Sequence, residues 1–414
     1  MSRGPLRPLP LACRHCGAAQ HAAPTAICER CLGPLDPVYD PTRPLPTREE
    51  LARRPASLWR YHEWLPFDGE ATLSLDTGGT PLVDAPALAL RLGLARVWVK
   101  NDAVSHPSLS FKDRVVATAI NAARAFGLDT IACASTGNLA NAVAAQAARA
   151  GVPAWVFIPA DLEVAKVVGT SIYGARVVRI RGTYDDVNRL CAQVADRFGW
   201  GIVNVNLRGY YGEGSKTMAF EIAEQLGWRL PAAVVAPMAG GSLVTKLRKG
   251  FGELLQAGLV SGPAPRICGA QAAGCAPIVR LVERDGEWIV PEIPRTIARS
   301  IAIGNPADGV FAARAIRESG GGAAAVSDEE LVVGIRLLAE TTGIFAETAG
   351  GVTVAATRRM VETGHLTPDS EVVLCITGSG LKTIEAVTAA LPESPVIGPR
   401  LREVAALIEG SVAA

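Results

Sequence analysis

The sequence predicts an α/β protein made of two open, mostly parallel α/β domains behind a small N-terminal cysteine ribbon. Three observations predict it. Short apolar runs alternate with helix-length segments from about residue 93 onward, glycine-rich polar stretches follow three of those runs, and two Cys-x-x-Cys pairs crowd the start. Alternating strands and helices imply a mostly parallel sheet with covering helices.

The elements follow in order. The first 45 residues are rich in Pro and Cys, show no helical period and are closed by Pro41, Pro44 and Pro46. A segment this small cannot bury enough surface to fold unaided, and 10–45 is set apart as the ribbon. Residues 47–65, with Trp59, Tyr61 and Trp64, read as a connector packed on the main body. Residues 95–100 form a short apolar run, 112–126 a helix, 129–134 a strand and 137–150 an Ala-rich helix. Then come strands at 154–158, 175–180 and 201–206, with helices near 163–173 and 184–198. Further strands fall at 232–237, 266–270 and 371–376, and the Gly/Ala run 319–325 is expected as a surface turn. The domains read as 105–210, a smaller α/β unit inserted into a larger one of 46–104 and 211–388, with 389–414 as a helical tail.

With 414 residues, 49% hydrophobic and 20% charged, the chain has an ordinary globular composition. A net charge of +1 provides no strong field for nucleic acid or an acidic membrane. No run of about 18 apolar residues occurs, which argues against a membrane span. Met1 to Pro10 lacks the apolar core of a signal peptide. A cytoplasmic protein without nucleic-acid or membrane partners is expected.

Nine cysteines fall into two groups. Cys133, Cys191, Cys268, Cys275 and Cys375 are scattered in apolar stretches and read as small buried hydrophobes. Cys13, Cys16, Cys28 and Cys31 have zinc spacing: each pair forms a turn presenting two thiolates, and two turns close a tetrahedral site. The alternative is four reduced thiols. All-sulfur ligation leaves no position for water, so a zinc here is structural.

Ligands of open α/β sheets sit beyond the carboxyl ends of the strands. Ser135-Thr136-Gly137-Asn138, Pro237-Met238-Ala239-Gly240-Gly241-Ser242 and Thr377-Gly378-Ser379-Gly380 each follow a strand. Three such ends suggest one cleft for an anionic ligand. Ala239-Gly240-Gly241-Ser242-Leu243 lies between a strand and a helix, where backbone N–H groups bind phosphate.

Ser110-Phe111-Lys112-Asp113-Arg114 opens a helix. Taken in order with Gly79-Thr80-Pro81-Leu82, the three strand ends, Gly304-Asn305-Pro306 and Leu381-Lys382, it resembles the fold-type II pyridoxal-phosphate (PLP) enzymes, and among them the threonine synthases. The resemblance runs from the cysteines to about residue 385. It implies that Lys112 carries PLP as a Schiff base and acts as general base and acid, which burial of its amine favours. It also implies that the loop Ala239–Leu243 holds the cofactor phosphate, although this loop departs from the commoner G-x-x-G. Asn138 is similar to the residue that bonds the cofactor's phenolic oxygen, a helix N-cap being the alternative. Thr377 is similar to the hydroxyl facing the pyridine nitrogen, a strand-end turn being the alternative. Asp113 and Arg114 read as structural, and His106 takes no catalytic role.

The implied substrate is a small phosphoamino acid, O-phospho-L-homoserine, converted by γ-elimination and water addition at Cβ. Its phosphate needs a second anion site, for which Ser135, Thr136, Lys166, Asn206 and Arg208 are candidates. Asn206 matches a family position before Gly214-Ser215-Lys216-Thr217, whereas Lys166 and Arg208 rest on charge and loop placement, with solvated surface roles as the alternative. Glu347-Thr348-Ala349-Gly350-Gly351 is similar to the family stretch that lines the cleft before a helix; Glu347 reads as the cap of that helix, a reach into the active site being the alternative. The family resemblance further implies a homodimer. Rival readings keep the same lysine: serine/threonine dehydratase, cysteine synthase and cysteate synthase, or an inactive PLP-binding regulator. The first two usually lack the ribbon.

Overall fold

The structure, a computed structural model, describes residues 5–412 other than 70–72, 74, 136, 161–163 and 183. Strand β1 (Arg7–Pro8) leads into a three-stranded antiparallel ribbon, β2 (Leu11–Cys13), β3 (Ala19–Gln20) and β4 (Leu35–Pro37). After α1 (Arg48–Ala52), β5 (Phe67–Asp68) pairs back onto β1. Next come β6 (Leu82–Asp84), α2 (Pro86–Leu92), β7 (Arg96–Asn101) and α3 (Lys112–Ala125). A βα series follows: β8 (Ile131–Ala134), α4 (Asn138–Ala150), β9 (Ala154–Pro159), α5 (Val164–Ser171), β10 (Arg176–Ile180), α6 (Tyr184–Phe198) and β11 (Gly201–Ile202). Helices α7 (Arg208–Glu213) and α8 (Thr217–Gln225) lead to β12 (Ala233–Pro237), α9 (Ser242–Gln256), β13 (Arg266–Ala272), α10 (Pro277–Glu283) and α11 (Gly309–Glu318). The chain ends with β14 (Ala323–Val326), α12 (Asp328–Thr342), α13 (Thr348–Glu362), β15 (Glu371–Ile376), α14 (Glu385–Thr388) and α15 (Leu401–Val412).

Two sheets result. One has the order β14-β13-β12-β15-β7-β6 and is parallel except at the β6 edge. The other, β10-β9-β8-β11, is parallel throughout. Parallel strands covered on both faces read as continuous apolar runs, as β12 and β15 do: all five residues of β12 are buried. The five scattered cysteines are all buried. In the connector, Tyr61 and Trp64 pack on Phe220 of α8, with ring centroids 5.2 and 5.6 Å apart.

Two expectations need correction. The run 319–325 does not end as a surface turn, because Ala323–Val326 forms β14, the edge strand beside β13. Gly321 lets the chain come that close, since a Cβ there would lie 2.0 Å from the Ile267 carbonyl oxygen. The strand expected over 201–206 stops at Ile202. Asn206 Oδ1 accepts the Ile202 N–H at 2.7 Å, and Asn206 Nδ2 donates to the Trp200 carbonyl at 3.1 Å. Short amide side chains of this kind offer the backbone an alternative to the ladder.

Arg114 of α3 fixes the start of that helix within the core. It is fully buried. Nε and Nη2 donate to Asp102 at 2.6 and 2.9 Å, and Nη1 and Nη2 donate to Glu221 at 2.5 and 2.8 Å. Lys100 adds a 2.6 Å bond to Glu221. A second buried cluster ties the ribbon to α9. Glu213 accepts from Lys216, Lys246, Lys249 and the Tyr39 hydroxyl, while Lys246 also reaches Asp36 of β4 at 2.8 Å.

Candidate active site

A cavity of about 550 Å³ opens beyond the carboxyl ends of β8 and β12, within the usual size for a small-molecule site. Lys112, Ser135, Asn138, Ala239, Gly240 and Ser242 line it. It therefore brings together the lysine, the polar end of β8 and the glycine loop after β12.

Lys112 is placed by its neighbours' backbone. The Phe111 N–H donates to the Thr377 carbonyl at 2.9 Å, and Ser110 bridges Gly378. Asp113 accepts from the Ser108 hydroxyl at 2.7 Å and from the Ser108 and Ser110 N–H groups at 3.1 and 3.4 Å. Burial pushes the Asp113 carboxyl up to about 7, against the pull of its Ser108 bond. With Arg114 anchored below, the structural roles expected for these two residues hold. The Lys112 Nζ donates to the Tyr211 hydroxyl at 2.8 Å and lies 4.7 Å from the centre of the Phe111 ring. Burial raises the Tyr211 phenol above its ordinary value, so it stays protonated near neutrality.

The glycine loop starts α9. Gly241 takes φ +91°, which an L side chain rarely adopts, and its added Cβ would also meet the Asp308 carbonyl oxygen at 2.9 Å. Gly240 faces open space: a Cβ there would meet nothing within 4 Å. The first N–H groups of a helix lack intrahelical partners and favour an anion. An open glycine, a free helix start and an amine across one cavity fit a phosphate-bearing aldehyde such as PLP. Gly241 and Leu243 support the turn without lining the cavity.

The remaining expected residues divide. Asn138 occupies the first turn of α4 but does not cap it. Ser135 does that, its Oγ accepting from the Gly137 and Ala140 N–H groups at 3.0 Å each. Asn138 Nδ2 instead donates to both Glu347 oxygens at 2.8 and 2.9 Å, and its Oδ1 accepts from Lys382 Nζ at 3.1 Å. The capping role read for Glu347 is thereby corrected: it stands at the N-cap position of α13, but its side chain makes no cap bond. Its carboxylate turns toward Asn138, while its N–H is held by the Gly378 carbonyl at 3.0 Å.

Thr377 is buried at the end of β15, beneath the lysine turn. Lys166 is buried, with its ammonium 3.3 Å from where a Gly137 Cβ would stand, so it is not a solvated charge. Arg208 lines the cavity and donates to Asp308 at 2.6 Å. Asn206 is not brought to the cavity, because its amide closes the turn after β11; Asn188 and Asn204 line the wall instead. Thr136 lies outside the described residues. Sequence reasoning missed Tyr211, Asp308 and the contact of Lys382. Lys382 had a signal, since it ends the motif after β15, while Tyr211 and Asp308 had none.

The four ribbon cysteines converge, their sulfurs all within 4.8 Å of one another. Cys13–Cys31 and Cys16–Cys28 are 3.5 and 3.7 Å apart. A tetrahedron with ~2.3 Å zinc–sulfur bonds has edges near 3.8 Å. The His15 and Cys16 N–H groups point at Cys13 Sγ and the Arg30 N–H at Cys28 Sγ, at 3.3–3.4 Å. Gly33 leaves room for them, for a Cβ there would stand 3.0 Å from Cys13 Sγ. The group can hold one tetrahedral metal ion.

A lysine amine facing a helix-start anion cradle, in a cleft beside two parallel sheets, defines a fold-type II PLP enzyme. A family model described as "Pyridoxal-phosphate dependent enzyme" matches residues 73–378. Threonine synthase of Methanosarcina acetivorans is 35% identical over 97% of this chain and 98% of its own. That of Methanocaldococcus jannaschii is 35% identical over 92% and 95%. Maize serine racemase shares the fold, with a TM-score of 0.61 at 20% identity over 72% of this chain and 89% of its own. The chain belongs to the pyridoxal-phosphate dependent enzyme family, among its threonine synthases. Among the described residues no helix is long and apolar enough to cross a membrane.

Proposed function

We propose that this enzyme converts O-phospho-L-homoserine and water to L-threonine and inorganic phosphate, with PLP carried on Lys112 and one structural zinc on Cys13, Cys16, Cys28 and Cys31. The observation that carries this is the single cavity holding the Lys112 amine, the Gly240 loop and a second, separate polar end at Ser135 and Asn138. Near-complete alignment with threonine synthases supports the substrate choice. The family resemblance supports a homodimer, and the composition of the sequence a cytoplasmic location.

When bound, the cofactor supplies an electron-accepting ring that stabilises charge developing on the substrate carbons. The start of α9, Ala239 to Leu243, binds the cofactor phosphate, and Asn138 and Thr377 face the ring. Lys112 moves protons at Cα and Cβ. The Tyr211 hydroxyl at 2.8 Å orients that amine. The departing phosphate is held at the start of α4. There the Ser135 hydroxyl accepts two N–H bonds and keeps its own hydrogen to donate, and Lys166 lies alongside Gly137.

Phosphate release is measured side by side with O-phosphohomoserine and O-phosphoserine, the latter with and without sulfite, and products are identified. Threonine formed from the first alone is the expected result; release from phosphoserine only when sulfite is present would make it a cysteate synthase. Borohydride trapping and peptide mass mapping should place the cofactor on Lys112, and a label on another lysine removes the assignment.

A further inference from the structure

The cysteine ribbon forms a wall of the catalytic cavity: Ala26, Ile27, Leu32 and Pro34 line it together with Lys112. A chain of contacts runs from the ribbon to the anion loop. Arg14 lies between Cys13 and Cys16, with its guanidinium 4.0 Å over the Phe311 ring of α11. Its Nη1 donates to Asp308 Oδ1 at 2.9 Å. Asp308 is 4% exposed, and its N–H donates to the Gly240 carbonyl at 2.9 Å. The Asp308 carbonyl oxygen packs 2.9 Å from the Cβ position of Gly241. Both glycines of the loop therefore rest on one aspartate, which the ribbon grips through a charge-assisted bond.

We propose that Arg14 is a positioning residue for the cofactor site: acting through Asp308, it fixes the Gly240–Gly241 turn, so an intact metal ribbon is needed to hold the cofactor phosphate tightly. The inference rests on the reading of that loop as the phosphate cradle. Donors at a helix start bind an anion well only when they are fixed beforehand. Without Arg14 the Asp308 carboxylate keeps Arg208, from the start of α7, as its arginine partner. The aspartate would lose one of its two charged anchors, and the turn it supports would be held less firmly.

The test uses purified holoenzyme: wild type, Arg14→Ala, Arg14→Lys, and Leu51→Ala, which opens the separate buried cluster around Tyr61 and Phe220. Cofactor Kd, metal content and melting temperature are measured for each, and for wild type stripped of metal by a chelator. Arg14→Ala should keep its metal yet bind PLP about tenfold more weakly, the worth of one hydrogen bond to a charged group. Arg14→Lys should recover most of that loss, and metal-stripped wild type should reproduce it. Leu51→Ala should lower the melting temperature with cofactor affinity unchanged. Wild-type affinity in Arg14→Ala, loss of its metal, or equal weakening in Leu51→Ala would each overturn the proposal. Failure of wild type to bind PLP at all would instead overturn the functional reading, so the two failures are distinguishable.

Discussion

Replacing Arg114 with Met removes the cation that two buried carboxylates share, while keeping much of the side-chain volume. The wild-type network is balanced, with Arg114 and Lys100 facing Asp102 and Glu221. In the variant Glu221 keeps Lys100 at 2.6 Å, whereas Asp102, fully buried, loses its cation and is left with the Thr80 hydroxyl at 2.6 Å. Removing one partner from a buried pair costs about 3–5 kcal/mol, because the charge left behind is uncompensated. Urea unfolding followed by tryptophan fluorescence measures the loss as the midpoint shift times the slope. The loss must also depend on pH. Burial opposes ionisation of Glu221, yet Arg114 and Lys100 outweigh it and hold the carboxyl well below the usual range. A depressed carboxyl contributes stability that is present above its unfolded value, near 4.5, and is lost as pH falls toward the folded one. The variant lacks part of that contribution, so its deficit should be full above about pH 4.5 and shrink as pH falls below it. A deficit below about 1 kcal/mol, or one unchanged by pH, would refute the view that this network is electrostatically coupled.

Replacing Cys13 and Cys16 with Ala should release about one zinc per chain and lower stability; metal analysis that finds none in fresh wild-type protein refutes the zinc assignment alone. Tyr211→Phe should lower kcat by about tenfold with KM little changed, since it removes the hydroxyl that bonds the Lys112 amine and leaves the phosphate sites intact. Steady-state kinetics decides, and a change confined to KM would count against the assigned role. For Asp113 the sign is opposite to that of Glu221. Its folded carboxyl titrates at about 7 rather than 3.8, so ionisation of the unfolded chain costs the wild type stability as pH rises between those values. The stability of Asp113→Asn relative to wild type should therefore rise from about pH 4 to pH 7 and level off above; a difference flat across that window would show that Asp113 titrates normally.

Much of the architecture was legible because parallel strands are continuous apolar runs and their carboxyl ends carry small polar residues. Ser135, Asn138 and the loop after β12 were found on that basis, Lys112 by the resemblance its motif carries, and they share one cavity. The edge strand β14 was hidden because Ala323-Ala324-Ala325 after a glycine run has no β signature; pairing with β13 makes it a strand. Glu347 was misread because its place before a helix suits a cap, whereas the contact that redirects it comes from Asn138, far away in sequence. Asn206 and Asn204 stand two residues apart on a turn, and sequence gives no rule for which faces inward. Tyr211 and Asp308 meet the site only through tertiary packing.

The carboxylate of Glu213, enclosed by three ammonium groups and a phenol, ties the N-terminal ribbon to the rest. Two of the lysines ride on α9, and Asp36 and Tyr39 arrive from the segment just after the cysteines. Excising the first 45 residues would strip the cluster of an acid and a phenol, leave surplus positive charge against α9, and unroof the reaction chamber on one side. Such a protein could not be rescued by grafting a zinc module from an unrelated source, since the graft would lack the counter-charges that lock this one in place.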